Sequence, residues 1–310
     1  MNLERRGRLT PDDVSEVTAL VDEVTANDGV RPLSEHVMLH LRHGGDTPAR
    51  NFLLRDDDGK LAGYAHLDVT DAVEGASGEL AVRPSTRGHG YGRALVEALL
   101  ADIDSGMQLR LWSHGARDGA AQLARSMGFK RERVLWQMRR SLFAPVPEPE
   151  WPAGVSVRTF KVGQDEEAWL GVNNRAFSGL PDQGSWTLPD LQMREKEPWF
   201  DPAGLFLAEM DGRLVGFHWT KVHGAQSTTD HDGHEHAHDP IGEVYVVGVD
   251  PSMQGKKLGP ALTLRGLQHL RSLGLSQVML YVDEKNTNAI RTYERLGFVK
   301  WDVDVCFLQQ

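Results

Sequence analysis

The second half of the chain shows most clearly how apolar and polar positions alternate. The apolar runs Leu205–Ala208 and Leu214–Val222 are separated by Asp211-Gly212. Asp-Gly supplies the positive φ angles that a tight hairpin requires, so this pattern predicts a β-hairpin. The β-branched and aromatic run Glu243–Val249 predicts a third strand.

After that strand the apolar spacing changes from that of a strand to that of a helix. Leucines recur at helical spacing after the glycine turn, at Leu258, Leu262, Leu267 and Leu270. Val278–Val282 predicts another buried strand, and Ala289–Leu296 predicts a short helix that ends at Gly297. The order of elements predicts the α+β class, with helices around a mixed sheet.

A long-period repeat divides the chain into two copies of this pattern. Three landmarks recur in the same order: Asp58–Tyr64 as Asp211–Phe217, Val82–Gly92 as Val249–Gly259, and Met127–Phe129 as Leu296–Phe298. The second copy is longer mainly through the polar segment His223–Asp239, which predicts an inserted loop. Between the copies, Ala144–Pro152 holds four prolines, which favours a stiff connector. We therefore expect domains at 1–143 and 155–310, joined by a linker at 144–154.

The composition is that of an ordinary folded protein, with 40% hydrophobic and 25% charged residues among 310. There are 34 Lys and Arg against 44 Asp and Glu, and the net charge of −10 disfavours nucleic acid and membranes as partners. The single cysteine, Cys306, excludes an intramolecular disulfide, and Met1–Asp13 lacks the apolar core of a signal peptide. We therefore expect a cytoplasmic protein, with a monomer as the simplest state.

Two glycine turns, Gly88–Gly92 and Gly255–Gly259, each follow a strand and precede a helix. Such a turn leaves backbone N–H groups unpaired at the start of the helix, where the helix dipole also favours negative charge. It can therefore hold a pyrophosphate, although the same turn also occurs as a tight connection without a ligand. Neither copy has the full G-x-G-x-x-G spacing with a later acidic residue, which disfavours a Rossmann fold.

The first turn, Arg87-Gly-His-Gly-Tyr-Gly92, resembles the [Q/R]-x-x-G-x-[G/A] signature of the GNAT superfamily of N-acetyltransferases. The second, Gln254-Gly-Lys-Lys-Leu-Gly259, departs from it at Lys257, which could reach a phosphate or weaken the loop. Asn286–Tyr293 with Leu296–Phe298 resembles another element of the superfamily, N-x-x-A-x-x-x-Y-x-x-x-G-F. The resemblance implies two tandem GNAT domains, each a mixed, mostly antiparallel sheet flanked by helices. It also implies acetyl-CoA as co-substrate and no required metal.

The resemblance implies the acetyl-CoA contacts residue by residue. In the first copy they are Leu80, Ala81, Val82, Gly88, His89, Gly90, Tyr91, Gly92 and Arg93. In the second copy they are Val247, Gly248, Val249, Gln254, Gly255, Lys256, Lys257, Leu258, Gly259, Pro260, Asn286, Thr287, Asn288, Ala289, Ile290 and Arg291.

Three further segments, Gly216–Val222, Gly242–Pro251 and Arg291–Tyr293, resemble the mycothiol synthase family of tandem GNAT enzymes. That resemblance implies acetyl transfer to the free cysteinyl amine of a cysteine-glucosamine-inositol conjugate, the last step in making mycothiol. It also implies acceptor contacts at Glu35, Asp182, Lys221, Glu243 and Tyr281. Since Glu35 would reach in from the first half, we expect the acceptor site between the domains, where ligand clefts are common. A solvated charge or a packed tyrosine is the alternative at each position.

Acetyl transfer needs a neutral amine, and a cysteinyl α-amine ordinarily has a pKa of about 8, so a base helps near neutral pH. The departing CoA thiolate leaves faster if an acid protonates it. The resemblance assigns the base to Glu243 and the acid to Tyr293. Aligning the repeats puts Ala76 and Ala124 at the corresponding positions of the first copy, with Glu79 nearby but out of register. We therefore predict that only the second copy catalyses, while the first binds acetyl-CoA or supports the fold.

Five histidines lie in the inserted segment, at His223, His231, His234, His236 and His238. Clustered imidazoles can bind zinc or nickel. No cysteine assists them, and the surrounding Gly, Ser, Thr and Asp favour a surface loop. We therefore expect no metal site.

Two other functions fit the same motifs. One is a GNAT enzyme that acetylates an aminoglycoside, a polyamine or a protein N-terminus, because fold and donor site are shared while the acceptor pocket differs. The other is a non-catalytic acetyl-CoA sensor. The presence of both Glu243 and Tyr293 in one copy disfavours the sensor.

Overall fold

The computed structural model describes residues 1–43, 50–69, 75–104, 106–179, 181–224, 226–229 and 235–310. The chain forms two compact units. The first unit contains Met1–Leu135 and Asp302–Gln310, and the second contains Trp136–Thr228 and Glu235–Trp301.

Each half of the chain contains the hairpin, strand, helix, strand and short helix that the sequence predicts, together with elements that it did not predict. The first half runs β1 (Asn2–Arg6), α1 (Pro11–Asp28), α2 (Glu35–His43), β2 (Arg50–Arg55), β3 (Leu61–Asp68), β4 (Ala76–Val82), α3 (Tyr91–Asp102), β5 (Leu109–Ser113), α4 (Asp118–Ser126) and β6 (Phe129–Ser141). The second half runs β7 (Val155–Thr159), α5 (Glu166–Ala176), α6 (Pro181–Gly184), α7 (Leu188–Glu195), β8 (Leu205–Met210), β9 (Arg213–His223), β10 (Gln226–Thr229), β11 (Glu235–His238), β12 (Ile241–Val249), α8 (Leu258–Ser272), β13 (Gln277–Asp283), α9 (Thr287–Arg295) and β14 (Val299–Gln309).

Both units are built on mixed sheets, which confirms the predicted fold class. The strand order is β1-β2-β3-β4-β5-β14 in the first unit and β6-β13-β12-β9-β8-β7 in the second. The pairs β4–β5 and β12–β13 are parallel. Their neighbours β3–β4 and β9–β12 are antiparallel, as are the hairpins β2–β3 and β8–β9.

The last strand of each half belongs to the unit built mainly from the other half. β6 follows α4, yet its residues from Trp136 onward lie in the second unit, while β14 follows α9, yet its residues from Asp302 onward lie in the first. In the first unit Val305–Leu308 pairs antiparallel with Arg110–Ser113 of β5. The units therefore differ from the continuous division at 1–143 and 155–310, because a sequence repeat does not reveal which sheet a terminal strand joins.

Each unit buries its own apolar residues against its sheet. In the first unit Leu95 and Leu99 of α3 are fully buried, and Leu20 of α1 is buried in a separate cluster. In the second unit Leu267 and Leu270 of α8 are fully buried beside β13, which confirms the predicted helical spacing. Because burial of one leucine side chain contributes roughly 1.5–3 kcal/mol, these clusters hold the helices on the sheets.

The predicted hairpin is confirmed as β8–β9, but its second strand is longer than expected. The turn residues Asp211 and Gly212 have φ angles of 51° and 72°, as an Asp-Gly hairpin turn requires. β9 continues to His223, which pairs with Ile241 of β12. His223 is therefore part of the sheet, and its assignment to the inserted loop was wrong, because a polar residue at a strand end looks like a loop residue in sequence.

Candidate active site

The second glycine turn keeps the backbone geometry of the first, although a lysine replaces one glycine. Gly88 and Gly90 have φ angles of 79° and 88°, and their counterparts Gly255 and Lys257 have 77° and 59°. Left-handed backbone costs a non-glycine residue roughly 1–2 kcal/mol, so Lys257 is held in a strained conformation at the start of α8. The lysine leaves the shape of the turn unchanged.

A groove with a volume of about 350 Å³ lies beside this turn, between the end of β12 and the starts of α8 and α9. Most of the predicted acetyl-CoA residues of the second copy line it, together with the predicted acid: Val247, Gly248, Val249, Gln254, Gly259, Pro260, Asn286, Asn288, Ala289 and Tyr293. The sequence analysis missed Ala176, Phe177, Thr263 and Thr292, which also line it. Ala176 and Phe177 come from the end of α5, where no motif marks them.

The other predicted acetyl-CoA residues of the second copy are not among those that line the groove. Leu258 and Ile290 are buried in hydrophobic clusters, where they anchor the starts of α8 and α9. Exposed residues make up the rest: Gly255, Lys256, Lys257, Thr287 and Arg291.

Glu243 lies near the start of β12, where it pairs with Lys221 of β9 and Met279 of β13. Its carboxylate Oε2 is 2.7 Å from Nε2 of His223. Burial raises the pKa of Glu243, but the hydrogen bond to His223 and the electrostatic interactions with His223 and Lys221 lower it more, so the net pKa lies below the usual value. The carboxylate is therefore ionised at neutral pH and able to accept a proton.

A β-bulge follows Glu243 and has no counterpart in the first copy. The register between β9 and β12 shifts between Val244 and Val246, which leaves Tyr245 as the additional residue. The register between β3 and β4 is continuous from Gly63 to Asp68. Bulges often occur next to active sites, where they redirect side chains.

The bulge changes which residue of the first copy corresponds to Glu243. Asp68 and Lys221 occupy the same repeat position, but Asp68 pairs with Ser77, whereas Lys221 pairs with Glu243. The counterpart of Glu243 is therefore Ser77 and not Ala76, because the extra residue of the bulge moves the alignment by one. A serine hydroxyl does not ionise near neutral pH, so the first copy still lacks a carboxylate at this position.

Tyr293 lines the groove from α9, and its ring packs against Phe298 with centroids 5.8 Å apart. Burial raises the pKa of Tyr293 to about 12. The phenol therefore keeps its proton across the neutral range and is able to donate it to a leaving group. At the same position of α4 the first copy has the buried Ala124.

Apolar side chains fill the corresponding region of the first copy. A Cβ atom placed on Gly92 would lie 3.1 Å from Leu123 of α4. A Cβ atom placed on the counterpart Gly259 would lie within 4 Å of one residue only, Val249, at 3.7 Å. The space is larger because Thr292 occupies the position that Leu123 has in the first copy. Of the residues predicted for acetyl-CoA in the first copy, Leu80, Ala81, Val82 and Tyr91 belong to hydrophobic clusters, whereas Gly88, His89, Gly90 and Arg93 are exposed.

The first copy has a different polar cluster on β4. Glu79, the alternative base, is buried and accepts a hydrogen bond of 2.5 Å from the Ser34 backbone N–H. Its Oε2 is 3.5 Å from Nε2 of His114, whose Nδ1 is 2.9 Å from Oδ2 of Asp304. Burial lowers the pKa of His114, but the two carboxylates raise it more, to about 10, and the same contacts hold the pKa of Glu79 below its usual value. Glu79 is thus occupied as the partner of a buried imidazolium.

Lys221 lies in a cluster of aromatic and cationic side chains that the sequence did not reveal. Its Nζ atom is 4.3 Å from the ring centroid of Trp199 and 5.1 Å from that of Tyr245. Arg194 donates from Nε to the Tyr245 hydroxyl at 2.8 Å and lies 3.7 Å above the Trp186 ring. Aromatic faces with a few fixed polar groups are typical of small-molecule sites.

The remaining predicted acceptor residues lie in different parts of the chain. The Tyr281 hydroxyl accepts a hydrogen bond of 2.8 Å from Gln137, and Gln137 accepts one of 3.0 Å from Arg139, both on β6. Glu35 begins α2 in the first unit. Asp182 lies in α6, and its side chain is outside the described residues. The structure therefore brings together Glu243 and Lys221 of the predicted set.

The side chains of the other histidines in the inserted segment are not described. His231 and His234 lie outside the described residues, and of His236 and His238 only the backbone is described. In the described part of the chain, no group of three His, Cys, Asp or Glu residues is arranged to hold a metal ion. None of the helices that the structure describes is long and apolar enough to cross a membrane.

Comparisons with known proteins match both halves. The acetyltransferase (GNAT) family matches residues 173–298, and the acetyltransferase (GNAT) domain matches 48–131. The chain is 55% identical to the mycothiol acetyltransferase of Streptosporangium roseum, with 98% of each chain covered. It is 56% identical to the mycothiol acetyltransferase of Acidothermus cellulolyticus, with 99% of this chain and 94% of the relative covered. Among solved structures, a tandem GNAT protein from the clavulanic acid biosynthesis pathway, solved without AcCoA, matches with a TM-score of 0.72 at 20% identity. The match covers 99% of this chain and 98% of that chain, and it shows the fold alone.

Proposed function

The chain belongs to the mycothiol acetyltransferases of the GNAT family, and from this premise we propose that its second copy transfers acetyl from acetyl-CoA to the free cysteinyl amine of the cysteine-glucosamine-inositol conjugate. The observation that carries the proposal is the pair of ionisable groups in that copy. An ionised Glu243 and a protonated Tyr293 lie on the strand and helix that border one groove.

The second glycine turn and its groove fit the acetyl donor. The first N–H groups of α8 and the helix dipole favour the negative charge of a pyrophosphate. From there the groove follows Val247–Val249 of β12 toward Tyr293, which gives an extended thioester arm a path to the acid. Gln254, Asn286 and Asn288 supply polar groups along this path.

The two ionisable groups divide the proton transfers of the reaction. The Glu243 carboxylate accepts a proton from the acceptor ammonium, and the neutral nitrogen attacks the thioester carbon. A C–N bond forms as the C–S bond breaks, and the Tyr293 hydroxyl gives its proton to the departing sulfur. The second amine proton returns through solvent to Tyr293, and Glu243 releases the first proton to solvent, so that each turnover restores both groups and yields amide, CoA thiol and one proton in solution.

The acceptor is proposed to lie on the side of β12 that carries Glu243. Lys221 and Arg194, held among Trp199, Tyr245 and Trp186, offer cationic and aromatic contacts for a polyhydroxylated molecule. Three further contacts remain predictions from the resemblance: Glu35, Asp182 and Tyr281. A site between the domains, a monomeric state, a cytoplasmic location and the lack of nucleic-acid partners also remain predictions.

The first copy is proposed to support the fold without catalysing transfer. It has Ser77 and Ala124 where the second copy has Glu243 and Tyr293, and Leu123 beside its turn. Its turn has the backbone angles of a phosphate-binding loop, so acetyl-CoA binding there remains part of the proposal.

The test is release of CoA from acetyl-CoA by the purified protein with two acceptors. One is the cysteinyl-glucosamine-inositol conjugate and the other is the same conjugate without the cysteine. We expect rapid release only with the cysteinyl compound, which identifies the attacked amine. Release with neither acceptor, while calorimetry still detects acetyl-CoA binding, would overturn the proposed acceptor and favour another GNAT acceptor or a sensor, which a panel of amines then separates.

A further inference from the structure

His223 is a polar residue that neither the fold nor the family motifs explain. It is the last residue of β9, and its Nε2 atom is 2.7 Å from Oε2 of Glu243. Its side chain is 30% exposed, whereas that of Glu243 is 9% exposed. A partly solvated imidazole therefore touches the buried carboxylate that the proposed reaction uses as its base.

The pairing of β9 with β12 fixes this contact. Lys221 pairs directly with Glu243, and His223 pairs with Ile241, two residues earlier on β12. Side chains two residues apart on a strand share one face, so Lys221, His223 and Glu243 lie on the same face of the sheet. A diagonal neighbour at this spacing is within reach of a long side chain such as glutamate.

The chemistry of the neighbours gives the direction of the hydrogen bond. An ionised carboxylate has no proton to donate, so Nε2 of His223 donates and Oε2 of Glu243 accepts. The electrostatic interactions that lower the pKa of Glu243 are those with His223 and Lys221, both from β9, and its partner on β13 is the uncharged Met279. Nε2 of His223 therefore holds one oxygen of this carboxylate, Oε2, in place.

We propose that His223 is the positioning residue of Glu243: its Nε2–H group holds Oε2, so that Oε1 faces the acceptor amine in ionised form. Charge-assisted hydrogen bonds of this length are roughly twice as strong as neutral ones, which suits the task of fixing a base. The inference rests on the proposed acetyl transfer and deepens it, because it names the group that keeps the base competent near neutral pH.

A second histidine of β9 shows how a purely structural contact differs. His218 is fully buried, and its Nδ1 atom is 2.7 Å from the backbone carbonyl of Leu262. That ring contacts α8 and no ionisable side chain through this bond. His223 instead combines partial exposure with a contact to a single buried carboxylate, which is the arrangement of a positioning residue.

The test compares His223→Ala with the conservative variant His223→Gln in the full-length protein. The amide Nε2–H of glutamine can replace the imidazole donor, whereas alanine leaves only Lys221 to oppose the effect of burial on the pKa of Glu243. We expect His223→Ala to lower turnover at pH 7 about tenfold and to shift the acidic limb of the kcat/KM profile to higher pH by about one unit. His223→Gln should recover most of the turnover and most of the shift. KM for acetyl-CoA should stay within about twofold in both variants, because the donor groove is intact.

His269→Ala is the matched control, since His269 is another partly exposed histidine of the second unit and its ring contacts Phe206. We expect its acidic limb to match that of the unaltered protein. If His223→Ala kept the original acidic limb and turnover, or if His223→Gln rescued neither, the positioning role would be overturned. If the unaltered protein released no CoA with the cysteinyl conjugate, the proposed function itself would fail, which is a distinguishable result. Melting temperatures measured in parallel identify a variant that has merely lost its fold.

Discussion

The two copies of this chain share their strands, turn and helices, but they use the same positions differently. In the second copy a bulge at Tyr245 follows Glu243, and Thr292 and Tyr293 leave a groove beside the turn. In the first copy β4 pairs without a bulge, and Leu123 lies close against Gly92. The same backbone plan thus supports a chemical site in one place and a packed core in the other.

The difference shows how few changes separate a catalytic copy from a supporting one. The phosphate-binding turn has left-handed backbone in both copies, so this element does not distinguish them. What distinguishes them is one inserted residue in a strand, the presence of Glu243 in place of Ser77 on that strand, and the residues at two positions of the last helix. In the buried polar cluster of the first copy, His114 pairs with both Glu79 and Asp304.

Removal of the two ionisable groups should have the largest effect, because it removes the catalytic groups that distinguish the second copy from the first. We expect Glu243→Gln and Tyr293→Phe each to lower kcat by about 10²- to 10⁴-fold, the range that general acid–base catalysis supplies. Ser77→Ala, at the counterpart of Glu243, should leave kcat within about twofold. Steady-state kinetics with the cysteinyl conjugate measures all three. Near wild-type turnover of the Glu243→Gln, Tyr293→Phe double variant would contradict the assignment of catalysis to the second copy.

The buried cluster of Glu79, His114 and Asp304 in the first copy should stabilise the folded state. We expect His114→Gln to lower the free energy of unfolding by roughly 3–5 kcal/mol at pH 6, because it leaves buried carboxylates without their cation. The raised pKa of His114, about 10, means that its contribution is complete below about pH 6.5 and is lost as pH rises through 10. The lowered pKa of Glu79 gives the opposite dependence, with a contribution present above about pH 4.5 and lost in acid.

Denaturant unfolding from about pH 3 to pH 10 checks both dependences. The difference between His114→Gln and the unaltered protein should be largest near pH 5–6.5 and should shrink toward pH 10. A difference that stayed constant over this range would mean that the imidazole is not charged in the folded state. Kinetic constants measured at pH 7 on the folded variant separate stability from catalysis.

Filling the groove of the second copy should make it resemble the first. Thr292→Leu places the side chain of Leu123 at the corresponding position, and we expect it to weaken acetyl-CoA binding about tenfold, or about 1.4 kcal/mol, by excluding part of the thioester arm. Thr292→Val is the control, because valine matches the shape of threonine. Calorimetry measures both affinities. Equal affinities for the two variants would show that the volume at this position does not limit the groove.

The smallest effect is expected at the turn itself. Lys257→Gly restores the glycine that the first copy has at Gly90 and removes the cost of left-handed backbone on a lysine. We expect a gain in the free energy of unfolding of up to about 1 kcal/mol, because the lower entropy of glycine offsets part of the relief. Urea unfolding checks this, and a loss of stability would show that the lysine side chain carries a favourable contact.

Local features of the fold were predictable from the sequence. The hairpin at Asp211-Gly212, the leucine-rich helix α8 and the glycine turns depend on residues that are neighbours in the chain, and the structure confirms them. The family resemblance was likewise carried by short motifs. It predicted most of the residues that line the groove and named Tyr293 among them.

Features that depend on pairing between distant strands were not predictable in the same way. The bulge at Tyr245 is visible only in the register with β9, so repeat alignment pointed to Ala76 in place of Ser77. Trp199 reaches Lys221, and Arg194 reaches Tyr245, from segments without a motif. His223 did carry a signal, because it lies two residues after Lys221 and so shares its face of a strand.

The exchange of the last strands has a consequence for synthesis on the ribosome. The sheet of the first unit includes β14, whose residues from Asp302 are translated after the helices and other strands of the second half. The amino-terminal half therefore cannot finish folding as soon as it emerges, although domains generally fold as units during elongation. It must wait with an open sheet edge until β14 has been translated, and a gene cut between the repeats would leave each product without the strand that the other half supplies.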